Sequence, residues 1–237
     1  MLSVNGRLQR IAGEVKRRLL ILFLAGAMQV ALFAGFARAQ ASSFFDGFDL
    51  FDAARWTKGD HSLGRSYLDP NNVYVVNGHL RLKIPANTSE GAEIKSNELY
   101  DRGSYAARMR LPYAPSSITG FFLYYPPDHA SEIDIEIYND SSRRVIFATY
   151  SGGRQTHTTT MELPFDPTTG FHTYRFDRAP GSLKFYADGR LMKTWKRGLP
   201  KNPMNLYANT WFPTWLGGEQ PPSDSYVRVD WIRYVQK

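Results

Sequence analysis

The segment Val73-Tyr-Val-Val-Asn77-Gly78-His79-Leu-Arg-Leu-Lys-Ile84 carries the clearest secondary-structure signal in the chain. Two short runs of alternating apolar residues flank Asn77-Gly78, a dipeptide that readily adopts the positive φ angles of a type I′ turn. The segment therefore predicts an antiparallel β-hairpin.

The same pattern continues along the rest of the chain. Short alternating runs bounded by Gly, Pro, Asn and Asp recur about every ten residues, and beyond residue 42 there is no long helical pattern. A second hairpin is predicted around Asp188-Gly189. The predicted strands are 104–111, 120–125, 132–138, 144–150, 172–177, 183–187, 190–195 and 226–234. Many strands without intervening helices indicate an all-β sandwich of antiparallel sheets in one domain, residues 40–237.

Composition limits the classes of site that the chain can hold. The 237 residues include no cysteine, which excludes disulfides and thiolate metal sites. The formal net charge is +7, but residues 1–39 contain six Lys/Arg and one Glu, so the remaining 23 basic and 21 acidic residues give only +2. A nearly neutral domain without a recognisable nucleic-acid motif gives no reason to expect nucleic-acid binding.

The first 39 residues resemble a targeting segment. The basic stretch ending at Lys16-Arg17-Arg18 precedes an apolar run from 19 to 37, and Ala37-Arg38-Ala39 has the small residues that signal peptidase requires. We expect a signal peptide over 1–39, cleavage near Ala39, and a secreted, extracellular or periplasmic domain. The alternative is an uncleaved membrane anchor, because the apolar run nearly reaches the length of a transmembrane helix.

Acids and isoleucines alternate along Ser131-Glu-Ile-Asp-Ile-Glu-Ile-Tyr138. Because successive strand residues point to opposite faces, one face carries Glu132, Asp134 and Glu136 and the other carries only isoleucine. Neighbouring acids then lie about 6.5 Å apart, and each raises the pKa of the next. The alternative is a solvated edge strand, but so costly a cluster favours a catalytic or cation site.

Glycoside hydrolysis uses two carboxyl groups that flank one bond. The Cα atoms of Glu132 and Glu136 are expected about 13 Å apart. Their side chains could lean together to the separation of about 5–5.5 Å that is typical of retaining enzymes. Asp134 lies between them and can share a proton or hydrogen bond with one glutamate. That interaction separates the two glutamate pKa values, so that one is ionised while the other is protonated.

The motif Glu132-Ile-Asp-Ile-Glu136 resembles the E-x-D-x-E signature of glycoside hydrolase family 16, in the form found in its lichenase and xyloglucan-active members. Further similar stretches are Asn71-Asn-Val, Gly78-His-Leu-Arg-Leu, Gly170-Phe-His-Thr-Tyr, Phe185-Tyr-Ala-Asp-Gly and Val229-Asp-Trp-Ile-Arg-Tyr. The resemblance implies a jelly-roll sandwich with a concave glycan-binding cleft. It implies Glu132 as nucleophile, Glu136 as acid/base and Asp134 as the helper between them.

The resemblance also implies residues that contact substrate or metal. The positions that match a lichenase cleft are Glu93, Lys95, Phe122, Tyr124, Tyr150, Asn209 and Trp211. By contrast, Phe121 and Phe185 are predicted to be core residues. Lys95 stands where lichenases usually have arginine, and no aromatic residue directly precedes Glu132, where they usually carry tryptophan. No catalytic cofactor is expected. A structural calcium ion is expected, with Asp230 and the backbone carbonyls of Gly47 and Gly78 as its ligands.

The expected function is therefore a secreted retaining endo-β-glucanase that acts on a β-glucan such as lichenan. The enzymatic alternatives are a hydrolase or transglycosylase acting on xyloglucan, β-1,3-glucan or a bacterial exopolysaccharide. The non-enzymatic alternatives are a lectin-like binding module and a structural or adhesive surface protein. The expected partner is a β-glucan polysaccharide. Nucleic acid is not expected as a partner, and a membrane is expected only if the N-terminal segment is retained. We expect a monomer.

Overall fold

The computed structural model describes residues 41–237. The predicted signal peptide, its cleavage site near Ala39 and the start of the domain at residue 40 lie outside this range. The described residues form seventeen strands and one short 3₁₀ turn at Pro70–Asn72. The strands are β1 Phe44–Asp46, β2 Trp56–Lys58, β3 His61–Leu63, β4 Ser66–Leu68, β5 Val73–Val76, β6 His79–Ile84, β7 Ala92–Ser96, β8 Gly103–Arg110, β9 Ile118–Tyr125, β10 Ser131–Tyr138, β11 Arg144–Ser151, β12 Gln155–Glu162, β13 His172–Ala179, β14 Ser182–Ala187, β15 Arg190–Trp195, β16 Asn205–Trp211 and β17 Ser225–Gln236.

Two large sheets contain all of these strands except β3 and β4. The first sheet has the order β15-β14-β13-β8-β17-β6-β5, with β1 also paired to β17. The second has the order β12-β11-β10-β9-β16-β7-β2, while β3 and β4 form a small hairpin of their own. All of the pairs between strands are antiparallel. The prediction of an all-β antiparallel sandwich is confirmed.

The core lies between the inner faces of the two sheets. On β10 the three isoleucines, Ile133, Ile135 and Ile137, are at most 1% exposed and join the main hydrophobic cluster. The predicted core residues Phe121 and Phe185 are fully buried in the same cluster. Burial of this face fixes the register of β10, since a slip of one residue would turn its acids into the core.

Both predicted hairpins form. β5 pairs with β6 across Asn77-Gly78, and β14 pairs with β15 across Asp188-Gly189. All four turn residues have the positive φ angles, between 45° and 78°, that a type I′ turn requires.

Several strands were not predicted from the sequence. β12 reads Gln-Thr-His-Thr-Thr-Thr-Met-Glu and has no fully buried residue, because it is the edge strand of its sheet and lacks an apolar face. β1 to β4 have three residues each, too few to show an alternating pattern. β7 and β16 are buried on both faces, which removes the alternation that the prediction relied on.

No helix between residues 41 and 237 is long and apolar enough to cross a membrane. The outward face of the second sheet, which carries the acids of β10, is the surface on which the candidate site is built.

Candidate active site

The acidic strand β10 lies between β9 and β11 within the second sheet, and the register sets each acid in a row across the sheet. Glu132 lies between Tyr124 and Tyr150. The next row contains Asp134, with Phe122 and Ala148 on either side and Tyr207 and Lys95 beyond Phe122. The third row contains Glu136, Gly120, Asn209 and Glu93. Pairing thus brings nine of the ten predicted catalytic and substrate-contacting residues into three neighbouring rows.

All three acids of β10 hold their protons more tightly than ordinary carboxyl groups do. Burial, with repulsion from Glu136 second, raises the pKa of Glu132 to about 7. Burial also raises the pKa of Glu136 to about 7. Asp134 is only 5% exposed, and burial together with the two flanking glutamates raises its pKa well above the usual range. At neutral pH the site therefore holds fewer than three negative charges.

One hydrogen bond makes the two glutamates different. Asp134 and Glu132 are hydrogen-bonded, and this contact lowers the pKa of Glu132 while raising that of Asp134. The direction of both effects is that of a protonated Asp134 donating to an ionised Glu132. Burial is the cause of the raised pKa of Glu136, which favours its protonated form. The arrangement can therefore present an ionised Glu132 and a protonated Glu136 on the same side of the sheet.

The absence of a side chain at Gly120 leaves room for the Asn209 amide and the Phe122 ring beside Glu136. A Cβ at this position would come within 2.5 Å of Oδ1 of Asn209 and 3.2 Å of the Phe122 ring. Without a side chain, the Gly120 amide donates a hydrogen bond of 3.2 Å to Asn209 Oδ1. Asn209 Nδ2 then donates to Glu93 Oε2 at 3.1 Å. These bonds fix the orientation of the Asn209 amide beside the acids.

Glu93 continues this hydrogen-bonded chain to the wall of the cleft. It is buried, and its Oε1 lies 3.1 Å from Nε2 of His61 on β3. The pKa of His61 is raised, chiefly by this hydrogen bond. Nδ1 of His61 lies 3.2 Å from the carbonyl oxygen of Ser62, so a protonated ring has an acceptor at each nitrogen.

Aromatic rings form one wall of the site. Phe122 stacks on Tyr207 with ring centroids 4.8 Å apart and an angle of 12° between the rings. Tyr124 meets Tyr207 edge-on at 6.0 Å, and its hydroxyl donates to Asp128 at 2.6 Å. Such rings provide flat apolar surfaces with polar edges, the combination that sugar rings contact in binding sites.

A second aromatic pair lies beside Glu132. His129 stacks on Tyr150 with centroids 4.7 Å apart, and Gln155 Nε2 donates to the Tyr150 hydroxyl at 2.8 Å. His129 has a φ of +62° and belongs to the loop that joins β9 to β10. The loop therefore supplies a flat ring just before the acidic strand, although the sequence has no Phe, Tyr or Trp there.

These residues surround an open cleft of about 550 Å³. Nine of the ten predicted catalytic and substrate-contacting residues line it, and Lys95 does not. Lys95 lies on the same face of β7 as Glu93, next to Tyr207, but outside the lining of the cavity. The lining residues that were not predicted are His61, Ser62, Leu63, Gly120, Asp128, His129, Tyr207 and Trp215. Two of them had a local signal: Tyr207 alternates with Asn209 and Trp211 along β16, and Gly120 alternates with Phe122 and Tyr124 along β9.

The residues predicted to hold calcium belong to the first sheet. β1 and β6 both pair with β17, and these pairings end at Asp46–Ile232 and Leu80–Val229, within two residues of Gly47, Gly78 and Asp230. Oδ2 of Asp230 accepts a hydrogen bond from Arg108, while Oδ1 lies 3.7 Å from Nε2 of His79. A carboxylate and backbone carbonyls are oxygen ligands of the type that calcium takes, so the residue types fit this ion. Within residues 41–237, no three His, Asp or Glu residues are grouped so as to hold a metal.

Comparisons with known proteins agree with this geometry. The family model described as "Glycosyl hydrolases family 16" matches residues 65–233. The chain is 34% identical to a beta-glucanase of Bacillus subtilis (strain 168), over 93% of this chain and 98% of the relative. It is 32% identical to a beta-glucanase of Paenibacillus polymyxa, over 87% and 93%. The solved beta-glucanase of Bacillus licheniformis superposes with a TM-score of 0.76 at 27% identity, covering 83% of this chain and 99% of that one. A β-1,3-1,4-glucanase (lichenase) derived from a mouse hindgut metagenome gives a TM-score of 0.75 at 26% identity, covering 83% and 100%.

Proposed function

Since the chain belongs to glycosyl hydrolases family 16 and is a glycoside hydrolase, we propose that it is a retaining endo-β-glucanase that hydrolyses internal bonds of a β-1,3-1,4-glucan such as lichenan. The observation that carries the proposal is the set of three acids along one face of β10, inside a cleft walled by aromatic rings. The beta-glucanase relatives support the substrate class.

In the proposed mechanism Glu132 is the nucleophile and Glu136 is the acid/base. The hydrogen bond from Asp134 favours the ionised form of Glu132, which can attack the anomeric carbon and form a covalent glycosyl-enzyme. The protonated Glu136 donates its proton to the leaving oxygen. Glu136 then takes a proton from the water that hydrolyses the intermediate, and this return to the starting state completes a retaining cycle.

The cleft is open to solvent and is not an enclosed cavity. This shape supports attack on internal bonds of a glucan chain. A long chain can lie across the sheet, with rings on Phe122 and Tyr207 on one side of the acids and on Tyr150 and His129 near Glu132. Asn209 and Glu93 supply donors and acceptors for sugar hydroxyls. Lys95 does not line the cavity, so we propose that it contacts only sugar units that extend past the residues lining the cleft.

A reducing-sugar assay on lichenan, laminarin, xyloglucan and carboxymethyl cellulose tests the proposal. We expect release of oligosaccharides from lichenan, loss of that activity in Glu136→Gln, and full activity in the matched control Glu219→Gln. Activity on xyloglucan or laminarin alone would replace the proposed substrate. Binding of glucan without hydrolysis would favour the lectin-like module, and products longer than the substrate would indicate a transglycosylase.

We propose that the enzyme is a secreted monomer, released after cleavage of residues 1–39. The basic stretch, apolar run and Ala37-Arg38-Ala39 support this location. Fractionation of an expressing culture tests it, together with size-exclusion chromatography of the released protein. Activity that remains with the membrane fraction would favour the anchor.

We also propose a structural calcium ion held by Asp230 and by the carbonyls of Gly47 and Gly78. It would contribute to stability and take no part in the reaction. The expected result is a melting temperature that falls in EDTA and is restored by CaCl₂, and an Asp230→Asn variant that no longer responds to calcium. A wild-type melting temperature that is equal in EDTA and in CaCl₂ would exclude the ion.

A further inference from the structure

The outer face of the first sheet, on the side of the sandwich opposite the cleft, is unusually rich in arginine. Alternation with buried core residues points six arginines outward from four neighbouring strands, β6, β17, β8 and β13. They are Arg81, Arg108, Arg110, Arg175, Arg228 and Arg233. The domain is nearly neutral, so this concentration of positive charge is local to one face.

Three of these arginines stand side by side across the sheet. Arg228 on β17 pairs with Arg81 on β6 and with Arg110 on β8. Directly opposed residues of an antiparallel sheet have Cβ atoms about 5 Å apart, and like charges in such positions destabilise the pairing. The pKa of Arg81 is lowered by burial first and by Arg228 second, which is the expected sign of this repulsion.

The protein does not neutralise this row itself. In the described part of the chain, none of Arg81, Arg228 and Arg110 forms an ion pair with a carboxylate. Arg110 donates only to the carbonyl oxygen of Thr168, at 3.1 Å. Two other arginines on the face are paired with acids, Arg108 with Asp230 and Arg175 with Asp177. The row therefore retains a positive charge that no ion pair within residues 41–237 neutralises, since the nearby Asp224 is paired with Lys83.

Two hollows on this face each lie between arginines. A hollow of about 280 Å³ is lined by Arg110, Arg228 and Tyr226, with one acid, Asp224. A second, of about 330 Å³, is lined by Arg175 and Arg233, which flank the small residue Ala106, and by one acid, Asp188. Along β17, Arg228 and Arg233 are five residues and therefore about 16 Å apart. Two basic hollows at that separation suit a polymer with repeated negative groups better than a single small anion.

Aromatic rings accompany the arginines. Tyr113, 65% exposed, and Tyr226 line the first hollow. Near the second, the Arg175 guanidinium lies 3.8 Å from the centroid of the Tyr186 ring. Guanidinium groups bind carboxylates through paired hydrogen bonds, and Tyr rings offer an apolar face with a polar edge. This combination matches a chain of sugar rings that bear carboxylates.

We propose that the outer face of the first sheet is a second glycan-binding surface, specific for a carboxylated polysaccharide. Its role would be to hold the enzyme on an acidic matrix while the cleft on the opposite face remains open to neutral glucan. The choice of a glycan over other polyanions rests in part on the proposed function. The binding itself is measured independently of hydrolysis.

The test is the affinity of the full chain for polygalacturonate, measured by biolayer interferometry at low salt, about 20 mM, and high salt, about 200 mM. We expect binding that weakens with salt, and a loss of about tenfold or more in the variant Arg81→Gln/Arg228→Gln. The matched control Lys196→Gln/Arg197→Gln removes the same charge from exposed positions after β15 and is expected to bind like the wild type. The arginine variant is expected to melt no lower than the wild type, because a repulsion has been removed.

Equal losses in the two variants would overturn the proposal, because the effect would then follow net charge alone. Tighter binding to duplex DNA or to phosphatidylglycerol vesicles through the same arginines would also overturn it, by assigning the face to another class of partner. Hydrolysis of a neutral soluble glucan is expected to be unchanged in both variants. If no glucan is hydrolysed, the proposed function fails while the binding result still stands.

Discussion

Replacement of Asp134 by alanine is expected to slow hydrolysis and to shift its pH dependence. Asp134 is 5% exposed, and burial together with the two flanking glutamates raises its pKa and so favours its protonated form. Its hydrogen bond to Glu132 lowers the pKa of that glutamate against the effects of burial and of Glu136. Asp134 is therefore the group that favours ionisation of one glutamate over the other, although it makes and breaks no bond in the proposed reaction.

The size of the effect follows from that one hydrogen bond. A hydrogen bond to a charged group contributes about 1.5–3 kcal/mol, which corresponds to a factor of about 10–150 in the equilibrium between the two forms of Glu132. The pKa of Glu132 is about 7, so about half of the wild-type molecules hold it ionised at pH 7. In Asp134→Ala we expect kcat/KM to fall by about 10- to 100-fold at pH 7. The acidic limb of the pH profile should move upward by about one to two pH units.

A higher pH does not restore full activity in this variant. Glu136, whose pKa is also about 7, loses the proton that the leaving oxygen needs as the pH rises. The pKa of Glu132 in the variant then lies above that of Glu136, so the acidic and basic limbs of the bell-shaped pH–activity profile cross. The maximum activity is therefore lowered as well as shifted in pH. The measurement is kcat and kcat/KM on lichenan from about pH 4.5 to about pH 9, with melting temperature and glucan binding as tests of folding.

Asp134→Asn is the matched control. The amide has nearly the same shape and charge as a protonated carboxyl group, and its NH₂ can donate to Glu132. We therefore expect it to lose less than about tenfold in kcat/KM and to leave the acidic limb nearly in place. Equal losses in both variants with an unmoved pH profile would refute the role as proton donor to Glu132. Unchanged kinetics in both would reduce the site to two glutamates.

Three further expectations follow from the same site and from the N-terminal segment. Glu132→Ala is expected to lose turnover and to regain it with azide as an α-glycosyl azide, because a small anion can replace a nucleophile; a β-azide, or rescue of Glu136→Ala only, would exchange the two roles. Mass spectrometry of the secreted protein is expected to find an N-terminus within a few residues of Gln40, whereas an intact chain in the membrane would support the anchor. The pKa of Glu136 is about 7, so its contribution to stability is present below its unfolded pKa and is lost as the pH rises through 7. Glu136→Gln is therefore expected to melt roughly 10 °C above the wild type at pH 8 and level with it at pH 4. Equal melting temperatures at pH 8 would show that the buried charge costs no stability.

Local patterns were sufficient to predict the strands that have one polar and one apolar face. The hairpin around Asn77-Gly78 and the acidic strand β10 were predicted from alternation and turn chemistry, which depend on residues only a few positions apart. The edge strand β12 was missed because its pairing with β11, and not its own composition, holds it in the sheet. Such strands depend on their neighbours, which no local pattern records.

The residues of the candidate site likewise fall into those that local patterns and the family resemblance predicted and those that they missed. The three acids share one face by the geometry of a strand, and the resemblance to family 16 supplied the expected positions on β7, β9, β11 and β16. His61 and His129 were missed, since they join the cleft from loops and short strands whose placement depends on distant contacts such as His61 with Glu93. Lys95 shares a face with Glu93 and a row with Asp134, but its side chain does not line the cavity.

The sequence by itself determined the antiparallel β-class of the fold, the alternation of acids with isoleucines and the position of the three acids on one face, because strand periodicity and turn chemistry are short-range properties. The tertiary structure alone decided which strands became neighbours, that Gly120 leaves room beside Glu136, and that burial raises the pKa of both glutamates. The physical reason is that register and desolvation arise from contacts between residues far apart in the chain, and these exist only once the two sheets have packed.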